Sequence, residues 1–117
     1  MFTRHFILLS TFLFLSFFGF GQTIPEKPNP PRLVNDFASA FSKEEVNQLE
    51  QKLRVYNDTT STQLTVVIVP TIGDYDMNTF AVELGRAWGV GQKGKNNGLI
   101  LLWSTGEKKV YIATGYG

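Results

Sequence analysis

The sequence predicts an α/β fold built on a mixed sheet. Three observations carry that prediction. Two runs, "LTVVIV" (64–69) and "GLILLW" (98–103), are almost wholly apolar, as strands buried on both faces are. Two other stretches, beginning near Ser42 and near Asp76, set apolar residues at helical spacing. A final run, "KKVYIAT" (108–114), alternates and follows a short turn, so it pairs antiparallel with the strand before it.

The chain opens differently. Arg4 and His5 form a short basic region, and Phe6 to Phe20 is apolar apart from Ser10, Thr11, Ser16 and Gly19. The run is shorter than the ~20 residues a membrane span needs, and it ends in Gly19-Phe20-Gly21. Residues 1–21 are therefore expected to be a secretory signal peptide cleaved between Gly21 and Gln22, with an uncleaved anchor helix as the alternative. The protein is expected to be exported, to the periplasm or cell envelope.

Export changes the composition that matters. Without Arg4 the mature chain carries one basic residue fewer than the eleven of the whole chain, equal to its ten acidic residues. A balanced chain gives no electrostatic case for nucleic acid as a partner. The single histidine, His5, leaves with the signal, and there is no cysteine. That excludes Ser-His-Asp and Cys-His nucleophiles, zinc sites of the usual type and disulfides. Chemistry would rest on carboxylates, hydroxyls, lysine, backbone groups or a hard cation.

Residues 22–32, "QTIPEKPNPPR", form a Pro-rich linker, read as a tether that either lifts the domain off a membrane or wraps its edge. The domain occupies 33–117. Ser42 is the expected N-cap of a first helix, with Glu45 completing a capping box and Phe41 stapled onto Val46. Val46, Leu49, Leu53 and Tyr56 share one face, and the helix is expected to end near Asn57-Asp58. The strand around Val66 stops at Pro70. Asp74 or Asp76 caps a second helix carrying Met77, Phe80, Ala81, Leu84 and Trp88, with Gly89 as its stop. Asp74-x-Asp76-x-Asn78 has the opening rhythm of an EF-hand loop, but Thr79 and Gly85 stand where glycine and the bidentate glutamate belong. Two apolar strands call for more helical cover than two helices supply, so the domain is expected to continue beyond Gly117 and to be marginal without that part.

The stretch "WGVGQKGKNNG" (88–98) contains Gly89-x4-Gly94-Lys95, most of a phosphate-binding P-loop. Its order is wrong for one. A P-loop leads from a strand into a helix N-terminus, whereas this stretch leads from a helix C-terminus into a strand. No ATP or other nucleotide is expected there. Free carbonyls and the Asn96 and Asn97 side-chain oxygens would suit a cation instead, and the bland alternative is a glycine-rich connection without a ligand.

Three blocks, "VNDFASAFS", "AWGVGQKGKNNGLILLW" and "VYIATGYG", together resemble the TPM domain family, known from YgcG-type exported bacterial proteins and from thylakoid-lumen proteins. The resemblance covers Leu33 to Gly117 and implies a three-layer α/β/α sandwich, truncated here at its C-terminus. It also implies a divalent-metal site, with calcium as the first candidate. Asp36, from the family's V-x-D pattern, would approach the loop and share the ion with Asn96 and Asn97. The family usually carries D-N-G where this chain has Asn96-Asn97-Gly98, so one carboxylate is missing. The function the resemblance implies is a non-enzymatic binding or assembly module at the membrane surface, partnered by a membrane or envelope protein. A metal-dependent acid phosphatase is the alternative.

Overall fold

The computed structural model describes residues 24–90 and 97–114, Asn97 by its backbone alone. The expected signal peptide, its cleavage site, Asn96 and the closing Gly-Tyr-Gly lie outside the described residues. The elements run β1 (Val34–Asp36), α1 (Lys43–Thr60), β2 (Thr62–Val69), α2 (Met77–Trp88), β3 (Asn97–Ser104) and β4 (Lys109–Ala113). They form one sheet in the order β1-β2-β3-β4. The first three strands are parallel, and β4 is antiparallel to β3.

β1 was not foreseen. It has three residues, two of them polar, and so offers no periodicity to read. It forms because β2 presents a ladder: Val66 N–H donates to the Leu33 carbonyl and Phe37 N–H to the Ile68 carbonyl, at 2.7 and 2.8 Å.

The helices cover opposite faces, giving three layers. α1 packs Leu53 with Val34, Val66 and Ile68, and Val46 and Leu49 flank that cluster. α2 packs Met77, Phe80, Ala81, Leu84 and Trp88 against Val67, Val69, Ile100, Leu102 and Ala113. Alternate residues of β2 therefore serve different layers, as the continuous apolar run requires.

α1 begins as expected: Ser42 Oγ accepts from Glu45 N–H, and Glu45 returns a carboxylate to Ser42 N–H. The Phe41 ring lies 5.8 Å from that of Trp103. The helix runs past Asn57-Asp58 to Thr60. The Thr59 and Thr60 hydroxyls bond back to carbonyls of the preceding turn, and Ser61 turns the chain at φ 60°. This last turn overhangs the sheet, which leaves Tyr56 exposed rather than on the packed face.

Asp76, not Asp74, caps α2 by accepting from Thr79 N–H at 2.9 Å. At the other end Val90 N–H reaches the Gly85 carbonyl and Gly89 N–H the Arg86 carbonyl, around Gly89 at φ 68°. This is a Schellman closure, with Val90 buried as its apolar partner. No helix among the described residues is long and apolar enough to cross a membrane.

Of the two roles expected for the Pro-rich segment, the described residues show wrapping. Ile24 packs on the α2-side core, Trp88 Nε1–H donates to the Pro25 carbonyl at 2.8 Å, and Lys27 Nζ donates to the Trp88 carbonyl at 3.0 Å.

Candidate functional site

Asp36 ends β1. Its carboxylate accepts from the backbone N–H groups of Ala38, Ala40 and Phe41, at 3.1, 3.0 and 2.8 Å. It thereby builds the loop that carries the chain into α1, including Ser39 at φ 52°. The side chain borders a groove of about 490 Å³ shared with Arg32, Phe37, Phe41, Lys43 and Asn47.

The register decides where Asp36 stands relative to the asparagines. Asp36 is opposite Ile68, whereas Asn97 is opposite Thr62, six positions back along the same strand. At ~3.3 Å per residue that is about 20 Å. Asp36 is at the C-terminal end of the parallel strands and Asn97 at their N-terminal end, so one ion cannot touch both. Within the expected joint site of Asp36, Asn96 and Asn97, Asp36 and the backbone of Asn97 are not brought together. Asn96 and the Asn97 side chain lie outside the described residues, and among the described residues no three of His, Cys, Asp or Glu cluster as metal ligands. Asp36 is a poor start for a hard-cation site, because its oxygens already accept three backbone N–H groups and it belongs to no ligand cluster among the described residues.

Two other carboxylates organise the ends of the sheet, and sequence reasoning missed both. Glu50 is buried at 7% exposure on the α1 face. Its oxygens accept from Leu33 N–H and Val34 N–H, the latter at 2.8 Å. Val34 N–H points away from β2, so Glu50 occupies a donor on the free edge of the sheet. Arg54 pairs with Glu50 at 2.9 Å, and the Arg32 guanidinium stands 3.7 Å away. The available signal was an acidic residue set into the Val46-Leu49-Leu53 stripe, with Arg54 four residues on.

Glu107 sits in the β3–β4 turn. It accepts from the hydroxyls of Ser104 and Thr71 and from Ile72 N–H. Together with Thr105 N–H to Val69 O and Gly106 N–H to Pro70 O, this joins the turn to the loop leaving β2. Gly106 must be glycine, since a Cβ there would lie 2.3 Å from the Pro70 oxygen. Ser104 above all, then Thr71, hold the Glu107 carboxyl below the usual carboxylate range. Because the folded value is the lower one, this stabilisation is present above the unfolded value near ~4.3 and fades as pH falls through the folded value. Glu107→Gln should flatten the acid limb of a stability-versus-pH curve while leaving its neutral region sloped as before. Urea midpoints from pH 7 down to 3 check this.

The family model for the TPM domain matches residues 34–117. This chain belongs to the TPM domain family. Among solved structures, the TPM domain is similar to the solution NMR structure of the N-terminal domain of a protein from P. gingivalis, at 36% sequence identity and a TM-score of 0.66. The match covers 74% of this chain and 55% of that one, so the chain spans about half the length of the structure it resembles. No curated protein matches. The TPM domain here is thus an α/β sandwich with a mixed four-stranded sheet, as the resemblance implied.

Proposed function

We propose that this TPM domain is an exported binding and assembly module acting at the membrane or envelope surface, not a phosphatase. One observation carries the reading. On the α1 side of β3 and β4, Val110 and Ile112 are 60% and 59% exposed beside the partly buried Leu101 and Trp103. α1 covers β1 and β2 and stops short of them. An apolar sheet face of this kind asks for a cover, and in this reading a membrane or envelope protein supplies it in place of the further helical cover expected from the sequence.

The phosphatase alternative would use Asp36, whose oxygens are spent on the loop it builds. A divalent cation such as calcium retains a place in this reading only at the Asn96–Asn97 loop, without Asp36. The test pairs two measurements, the first on the purified chain. Hydrolysis of a generic phosphomonoester with magnesium or calcium should not exceed that of Asp36→Ala. Site-specific photocrosslinking from position 112 in the native envelope should give a discrete adduct that Val110→Lys removes. Turnover abolished by Asp36→Ala would overturn the proposal.

A further inference from the structure

A second cavity, of about 340 Å³, lies at the N-terminal end of the parallel strands beneath the Pro-rich segment. It is separate from the apolar face, being on the α2 side of β1 and β2. Trp88 forms a wall, and Lys27, Arg32, Arg54, Gln63 and Thr65 supply the polar groups. Among the described residues no carboxylate lines it. Glu50 holds Arg32 and Arg54 from behind and offsets one of the three positive charges. Lys27 gives one N–H to the Trp88 carbonyl and has no carboxylate partner among the described residues.

The floor supplies an independent observation. Thr65 is 3% exposed, lines the cavity, and its hydroxyl has no hydrogen-bond partner among the described residues. A buried hydroxyl without a partner costs about 1–3 kcal/mol. Valine would fill the same volume at that point of β2 and spare the cost. A hydroxyl retained there, facing a cavity of ligand size walled by an indole and ringed by cations, has the chemistry of a donor awaiting an acceptor.

We infer that this cavity binds a small anionic ligand through a carboxylate or phosphate group. Thr65 donates from the floor, Lys27 uses its two remaining N–H groups, and the Arg32 and Arg54 guanidiniums close the rim. Guanidinium planes suit either oxyanion. The Pro-rich segment contributes to the site as its roof, and its docking on Trp88 holds Lys27 in place.

The experiment is an NMR titration of the 15N-labelled chain with inorganic phosphate in one arm and succinate in the other, chloride keeping ionic strength constant. The Trp88 indole N–H and the Thr65 amide should shift saturably in at least one arm, which also identifies the oxyanion. Thr65→Val should weaken that binding at least tenfold without lowering the unfolding midpoint, and Thr65→Ser should restore it. Lys27→Gln should weaken binding as a second, independent variant. Shifts that stay linear in both arms would overturn the inference. So would saturable binding that Thr65→Val leaves unchanged, or a destabilised Thr65→Val chain that has lost a long-lived water at this hydroxyl, since the hydroxyl would then serve that water.

Discussion

Glu50→Ala is expected to cost the fold about 2–4 kcal/mol, chiefly because buried backbone N–H groups lose their acceptor, at about 1–3 kcal/mol each. Three consequences act together. Leu33 N–H and Val34 N–H lose their acceptor. Arg54 and Arg32 lose the charge that balances them. β1, with only three residues, loses its attachment to α1. Native domains hold roughly 5–15 kcal/mol in total, so the loss is a large part of the whole. Urea unfolding should show a much lower midpoint at an unchanged slope. Glu50→Gln should fall between the two, because an amide oxygen still accepts one N–H but its NH2 faces another donor. A change below about 1 kcal/mol for Glu50→Ala would mean that water replaces the carboxylate at the sheet edge.

Phe80→Ala should be comparably damaging, at about 3–5 kcal/mol. Phe80 is fully buried at the centre of the larger core cluster, and Tyr75 stacks edge-on at 5.6 Å. Close-packed β2 and β3 side chains behind it leave little room for collapse into the space. Val110→Ala, on the exposed face, should move stability by less than about 0.5 kcal/mol. A thermal-unfolding comparison of the two variants tests the assignment of faces on β4. If Val110→Ala proves the costlier, the sheet is turned over relative to the description given above.

That assignment shows where sequence reading reaches its limit. The alternation of β4 was plain, but not which side faced the core. The aliphatic Val110 and Ile112 face outward, while Tyr111 and Ala113 pack against α2, because the register sets Tyr111 beside Leu102 and Ala113 beside Ile100. Local signals were legible where the physics is local. Ser42 with Glu45, the α2 stripe and the Gly89 stop each depend on residues within a turn or two of one another. The two apolar strands were legible because burial on both faces leaves a continuous run.

What failed depended on distant partners. β1 exists only because β2 offers it a ladder. Glu50 and Glu107 look like ordinary surface carboxylates until the fold brings Val34 and Thr71 to them. The expected ion site failed for the same reason. Asp36 and Asn97 each lie beside a strand, and only the parallel register reveals that they are at opposite ends of it. The Pro-rich segment was legible as extended, but its docking on Trp88 was not.

The strand order has a consequence for how the chain assembles. Among the described residues sheet order equals sequence order, so no described strand inserts between two others. A chain emerging N-terminus first, from a ribosome or a translocation pore, can add each strand to an edge that already exists. β2 recruits β1, β3 extends β2 after one helical crossover, and the β3–β4 turn then adds β4. Each step needs only the neighbour just made, which keeps the loops to be closed short and the search nearly one-dimensional. These four strands can therefore form vectorially, each pairing with the strand beside it in sequence.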